Sequence, residues 1–236
     1  MRNIPAIVHR EVSAYFLSPL GYLVIFAFLA LAGFFFQVIL WEMRQATLEP
    51  MFHIMGYLLL LLSPLITMRL LAEEVRLGTI EGLMTAPVTD AEVVLGKFAG
   101  AFIFYALLLL PTVVYVGVLA WLGRPDYGLI FSGYLGLLLM GGLCLSIGLL
   151  CSALTRSQVV AAVTALVALV FLFVVGALSG WLSGPLFDVL RYAGLAAHQE
   201  GFASGTVDTR DVVYYVSATV FFLFLSVRAV ESRQWR

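Results

Sequence analysis

Charged residues are scarce in this chain. Lysine, arginine, aspartate and glutamate make up 11% of its 236 residues, and hydrophobic residues make up 62%. Soluble domains contain about 25% charged and about 45–50% apolar residues. With a mean hydropathy of +1.04, the composition excludes an ordinary soluble domain and indicates an integral membrane protein. The net charge of −1 and the lack of a basic stripe also exclude a nucleic-acid partner.

Residues for metal binding, redox chemistry and nucleotide binding are also missing. Cys144 and Cys151 lie on one predicted helix, about 10 Å apart along its axis, which is too far for a disulfide. The three histidines fall on different segments and form no zinc-binding pair. Gly96 and Lys97 are followed by Phe98, so the motif of a phosphate-binding loop is absent. We expect this chain to have no catalytic residues and to bind no metal or cofactor.

No aspartate, glutamate, lysine or arginine lies deep in a predicted membrane span. Proton-coupled and ion-coupled transporters normally need such intramembrane groups, and ion channels use them in their filters. Both classes are therefore disfavoured. An intramembrane enzyme is disfavoured as well, because no carboxylate, histidine or cysteine group converges in the spans. If the protein moves a substrate, we expect the energy to come from another subunit.

Six apolar runs are long enough to cross a membrane as helices, which takes about 20 residues each. They cover 20–41, 51–69, 97–122, 128–151, 158–182 and 212–231. Pro64 and Pro111 lie inside the second and third runs and predict local kinks. The fourth run is rich in small residues, which favours close helix packing within the monomer over a subunit interface. The predicted fold is all-α, a single transmembrane domain over residues 1–236.

The distribution of basic residues predicts the orientation. If both termini share one side, that side carries nine lysines and arginines and the other side carries four. The positive-inside rule then places both termini in the cytoplasm. Trp41, Trp121 and Trp181 fall at the predicted outer ends, where aromatic belts occur.

Two segments outside the spans have helical patterns of their own. Residues 1–19 predict a helix that lies in the membrane interface, with an apolar side formed by Ile4, Val8, Val12, Tyr15 and Phe16. Residues 183–211 predict an outer loop with a short helical hairpin. His198 in that loop could contact a substrate or a metal, although an ordinary polar cluster at the interface is the favoured interpretation.

Residues 70–96, here called the elbow, form the longest polar interval in the first two-thirds of the chain. A short helix is predicted within the elbow, with one face formed by Ile80, Leu83, Met84 and Pro87. Gly78 and Thr79 can begin this helix, and Pro87 ends it. Thr89 and Glu92 then have the spacing of a capping box ahead of the third span. The elbow therefore predicts a structured face on which a partner protein docks.

The segment EEVRLGTIEGLMTAPVTDAEVVLGK has a distinctive pattern, formed by Glu73, Glu74, Arg76, Gly78, Thr79, Glu81, Leu83, Pro87, Val88, Gly96 and Lys97. Through these residues the elbow resembles the cytoplasmic coupling segment of membrane subunits in the type-2 ABC exporter family. The segments HREVSAYFLSPLGY and HQEGFASGTVDTRDVVYY are similar to the branch that contains gliding-motility and nitrous-oxide-reductase maturation permeases.

The resemblance implies a non-catalytic permease of an ATP-driven exporter in a bacterial inner membrane. ATP and Mg²⁺ would be bound by a separate cytoplasmic ATPase dimer, and the permease would pair with a second copy or a homologue. An accessory outer-face subunit and membrane lipid are further expected partners. The residues expected to couple to the ATPase are Glu73, Glu74, Arg76, Gly78, Thr79, Ile80, Glu81, Leu83, Met84 and Pro87. The alternative function is a membrane anchor or scaffold that recruits a cytoplasmic protein without transport.

Overall fold

The computed structural model describes residues 4–43, 47–78, 89–178 and 194–232. Within these ranges the regular structure is helical. The helices are α1 (Ile4–Leu17), α2 (Pro19–Met43), α3 (Glu49–Thr67), α4 (Ala72–Leu77), α5 (Asp90–Leu109), α6 (Val113–Leu122), α7 (Tyr127–Leu154), α8 (Gln158–Leu178), α9 (Leu195–Ala203) and α10 (Thr209–Glu231).

Six helical segments in the described ranges are long and apolar enough to cross a membrane, which confirms the predicted number. They are Pro19–Glu42, Glu49–Leu77, Asp90–Leu122, Tyr127–Leu154, Gln158–Gly176 and Thr209–Glu231. The chain is therefore a multi-pass membrane protein. Because consecutive spans alternate in direction, the bundle has two ends, called here the α4 end and the α9 end. The start of α5 and the end of α7 lie at the α4 end, next to α1.

The helix starts and breaks follow from local sequence. Thr89 and Glu92 form the predicted capping box, in which the threonine side chain accepts from the Glu92 N–H and the glutamate accepts from the Thr89 N–H. Pro111 lies in the 3-10 turn Leu110–Thr112 that separates α5 from α6, at the predicted kink. Proline has no N–H to donate, so the regular α-helix is interrupted there.

Helix α7 forms the centre of the bundle, and its glycines face other helices of the same chain. A Cβ at Gly133 would meet the ring of Phe52 on α3, and one at Gly136 would meet Phe202 on α9. A Cβ at Gly148 would meet the side chain of Thr67, also on α3. The small residues of the fourth span therefore serve packing within the monomer, as predicted.

The break between α3 and α4 is held by a hydroxyl from α7. Ser152 Oγ accepts hydrogen bonds from the N–H groups of Leu71 at 3.1 Å and Ala72 at 3.0 Å. The same hydroxyl donates to the carbonyl of Met68 at 3.1 Å. These three backbone groups lose their helical partners at the break and are satisfied by one buried side chain.

Helix α1 packs against the first half of α5. Its buried residues are Ile7, Glu11 and Tyr15, so the side that faces the protein differs from the predicted apolar side of the helix. Phe16 and Leu17 are exposed. A helix is present where one was expected, and its placement in the membrane interface stays a prediction.

Candidate functional site

The structure describes four of the ten residues predicted to couple to an ATPase. Glu73, Glu74 and Arg76 belong to α4, and Gly78 follows it directly. The other six predicted residues lie outside the described ranges, namely Thr79, Ile80, Glu81, Leu83, Met84 and Pro87. The apolar stripe of the elbow therefore stays a prediction.

Helix α4 is short and has a defined end. Glu73 and Glu74 lie in its first turn and Arg76 in its last turn, an order that complements the helix dipole. Gly78 has the left-handed φ of 71°, and its N–H donates to the carbonyl of Val75. This conformation favours glycine. Gly78 thus ends α4, and the helix that it was predicted to begin lies outside the described ranges.

Four charged residues from three helices meet beside α4. We call Arg10, Glu11, Glu74 and Lys97 the charge cluster. Lys97 Nζ lies 2.9 Å from Glu11 Oε1 and 2.8 Å from Glu74 Oε1. An Arg10 guanidinium nitrogen lies 3.1 Å from the same Glu11 oxygen and 2.9 Å from the same Glu74 oxygen. The cluster has two charges of each sign and joins α1, α4 and α5.

Burial differs strongly within the charge cluster. The Lys97 side chain is 2% exposed, while those of Glu11 and Glu74 are 12% and 18% exposed. Arg10 is 51% exposed and therefore largely hydrated. A buried ammonium is tolerated only when it is paired and hydrogen-bonded. Lys97 consequently ties Glu11 and Glu74 together, whereas Arg10 contributes a screened surface contact.

Two glycines bring α1 close enough for this pairing. Gly96 and Gly100 are four residues apart, on adjacent turns of α5. A Cβ at Gly96 would lie 2.8 Å from Ile7 Cγ2, and one at Gly100 would lie 2.6 Å from Glu11 Cβ. Any larger residue at either position would push α1 away. The glycines therefore set the distance at which Glu11 reaches Lys97.

Tyr15 fixes the other half of α1. Its ring stacks on Phe104 with centroids 4.4 Å apart, and the Arg69 guanidinium lies 4.4 Å from the ring centroid. Its hydroxyl donates to the carbonyl of Ile66 at 2.7 Å. Burial raises the pKa of Tyr15 above its usual range, so the phenol stays protonated and remains a donor. Helix α1 is thereby joined to both α3 and α5.

Sequence reasoning missed most of the charge cluster. Lys97 was assigned to the boundary of the third span, but it lies within α5 and is buried. Glu11 and Arg10 were placed on an interfacial helix with no partner assigned. One signal was present in the sequence: Gly96 and Gly100 flank the lysine with the spacing that allows two helices to approach closely. The partner helix was not readable from that pattern.

The histidine at the α9 end has a structural partner. His198 Nδ1 lies 2.6 Å from Asp211 Oδ1, and the imidazole stacks on Tyr214 with centroids 3.9 Å apart. These contacts join α9 to α10 and fit the favoured interpretation of a polar cluster. Among the described residues, no group of three or more histidine, cysteine, aspartate or glutamate side chains could hold a metal ion.

Comparison with known protein families gives a match that covers the elbow. A family model described as ABC-2 family transporter protein matches residues 49–194, which is more than half of the chain. The matched range begins with α3 and contains Glu74, Lys97 and the whole elbow. It does not contain α1 and does not distinguish branches of the family, so the gliding-motility-like branch stays a prediction. No curated protein matches the chain.

Proposed function

This chain belongs to the ABC-2 transporter family, and from that premise we propose that it is the permease subunit of an exporter driven by a separate cytoplasmic ATPase. ABC-2 permeases are generally non-catalytic membrane subunits. The family therefore supports a permease, and the direction of transport and the coupling to ATP hydrolysis are parts of the proposal.

The charge cluster is the observation that carries the coupling proposal. Residues 79–88 of the elbow lie between α4 and α5 in the sequence, so a partner bound there acts on both helices. Lys97 on α5 holds Glu74 on α4 and Glu11 on α1 through contacts shorter than 3 Å. A displacement of α4 is therefore transmitted to α5 and α1 through the ion pairs of the buried Lys97.

The elbow supplies the docking surface in this proposal. Its predicted apolar stripe, which includes Ile80, Leu83 and Met84, enters a cleft of the ATPase as the anchor. Arg76, which is exposed at the end of α4, and Glu81 make the charged contacts that fix orientation. ATP and Mg²⁺ bind to the ATPase dimer.

The remaining parts of the assembly follow from the same proposal. Two permease subunits, identical or homologous, face each other in the inner membrane. Both termini of each subunit lie in the cytoplasm, on the side of the ATPase, together with the α4 end of the bundle. The excess of basic residues on that side supports this orientation.

Co-purification with the ABC ATPases encoded in the same genome tests the proposal. We expect a stable complex whose ATP turnover in lipid nanodiscs falls at least about tenfold for Leu83→Asp, since a buried carboxylate in an apolar anchor costs several kcal/mol. Glu81→Lys should weaken the complex through charge reversal at its rim. Glu200→Lys makes the same charge change on an exposed residue at the α9 end and should leave both quantities unchanged.

Two results would contradict the proposal. If the chain purifies alone and the ATPase hydrolyses ATP at the same rate with or without it, the scaffold function becomes the better explanation. If Leu83→Asp and Glu81→Lys behave like Glu200→Lys, a complex exists but the elbow is not its docking surface.

A further inference from the structure

A buried glutamine at the α9 end has no hydrogen-bond partner in the described part of the chain. Gln199 is 6% exposed. Neither its side-chain oxygen nor its side-chain nitrogen is bonded to another protein group there. A carboxamide can make up to four hydrogen bonds, and burying it without any of them costs free energy. Such a group calls for a partner that the described residues do not supply.

The Gln199 side chain borders a cavity of about 30 Å³ between α3, α7, α8 and α9. Its polar lining in the described part of the chain is formed by Gln199, His53 and Tyr57, and Met140 and Phe173 are among its apolar lining residues. A single water needs about 10–15 Å³ of such space. The cavity therefore has room for one or two groups of the size of a hydroxyl.

The lining determines which chemistry fits. A carboxamide, an imidazole and a phenol together offer both donors and acceptors. None of the described residues that line this cavity carries a carboxylate, an ammonium or a guanidinium group. An ion would be desolvated there without a compensating charge. A neutral group that both donates and accepts is the class that fits.

We propose that Gln199 and its cavity form a binding site for a neutral hydroxyl group, taken either from water or from the headgroup of a lipid. Tyr57 gives the site a route for exchange, because this residue is 48% exposed while it also lines the cavity. Its ring packs edge-on against Phe173 with centroids 5.3 Å apart. Movement of this aromatic pair opens the site towards the membrane.

Gly56 allows the site to be tested without a steric clash. A Cβ at this position would lie 3.8 Å from Gln199 Nε2 and 3.8 Å from Met140 Sδ, which is ordinary van der Waals contact. Gly56→Ala therefore takes up room beside the carboxamide and offers it no hydrogen bond. Gly56→Ser takes up similar room and brings a hydroxyl of its own.

The experiment is a double-mutant cycle on the full-length chain in nanodiscs, read as the melting temperature. If the site holds a hydroxyl group, Gly56→Ala should lower the melting temperature by about 2–6 °C, since it displaces that group and leaves Gln199 unpaired. Gly56→Ser should lower the melting temperature by less, because the serine brings a hydroxyl of its own. In the Gln199→Leu background, Gly56→Ala should change the melting temperature little, because there is no carboxamide left that could lose its hydrogen-bond partner.

Two lipids distinguish the sources of the hydroxyl. Phosphatidylcholine headgroups carry no hydroxyl, whereas phosphatidylglycerol headgroups carry two. The same loss for Gly56→Ala in both lipids identifies water, and a loss confined to phosphatidylglycerol identifies the headgroup.

The opposite pattern would overturn the proposal. A carboxamide buried in a dry cavity predicts that Gly56→Ala is neutral or raises the melting temperature by filling space. It also predicts that Gln199→Leu alone raises the melting temperature, because the unpaired amide is removed. Gln199→Leu thus gives a second and independent outcome if the glycine variants fail to fold.

Discussion

Replacement of Lys97 by methionine tests whether the charge cluster holds the α4 end together. Methionine keeps a long unbranched side chain in the same buried position and removes only the ammonium. Arg10 is then the remaining cation beside Glu11 and Glu74, which are 12% and 18% exposed, and the net charge of these four positions changes from zero to −1. Breaking a buried ion pair by removing one partner costs about 3–5 kcal/mol. We expect a loss of that size in the free energy of unfolding.

Arg10→Met provides the matched control for this loss. It also removes one positive charge from the same two carboxylates, but the Arg10 side chain is 51% exposed. Pairs made by exposed side chains contribute about 0.2–1 kcal/mol. The two variants should therefore differ by at least about 2 kcal/mol, although each removes one cation from the same cluster.

The assay is reversible unfolding in mixed micelles, followed by circular dichroism. The triple variant Glu11→Met, Glu74→Met, Lys97→Met should recover most of the loss, since hydrophobic residues of similar volume are often as stable as a buried ion pair. Equal losses for Lys97→Met and Arg10→Met would refute the reasoning. They would show that burial of the lysine does not determine the strength of the cluster.

Two further predictions concern how the same end is packed. Gly100→Ala should loosen the packing of α1, because the added Cβ would lie 2.6 Å from Glu11 Cβ. Limited proteolysis should then cut α1 faster. Gly117→Ala is the control and should not change the cleavage rate, because nothing lies within 4 Å of the Cβ added there. Ser152→Ala should lower the free energy of unfolding by about 1–3 kcal/mol, since three buried backbone groups lose their partner. Ser217→Ala is its control, because this exposed hydroxyl bonds only to a carbonyl of its own helix, and an equal loss there would contradict the assignment.

The features that depend on local sequence were predictable. The six spans follow from apolar runs of the right length, and the capping box at Thr89 follows from the spacing of two side chains. Pro111 interrupts its helix because proline has no backbone N–H to donate, a property of the residue itself. In each case the interacting groups are close together in the sequence.

The charge cluster was not predictable in the same way. Glu11 and Lys97 are 86 residues apart in the sequence, so nothing in either local pattern names the other residue as a partner. The hydropathy of residues 97–122 also favoured a span that begins at Lys97, which places the lysine at the membrane boundary. The structure begins this helix at Asp90, and the additional turns put Lys97 inside the packed region.

One member of the charge cluster was selected from the sequence, and the coupling role for which it was selected stays a prediction. Glu74 was selected from the elbow and does take part in the charge cluster. Its two closest partners come from α1 and α5 and were not selected. The elbow residues that follow Gly78 stay a prediction from their spacing.

The single hydroxyl at the break between α3 and α4 has a mechanical consequence. A helix of six residues is too short to be stable on its own, so the direction of α4 depends on its contacts, which include the ion pairs of Glu74 and the group that holds its first N–H groups. That group is Ser152, near the end of α7, the most buried of the long helices. The direction of α4 therefore depends on the position of α7, the central helix of the bundle. A rotation of α7 against α3 would change the direction of α4. A force on α4 would in turn be transmitted to α7, at the centre of the membrane domain.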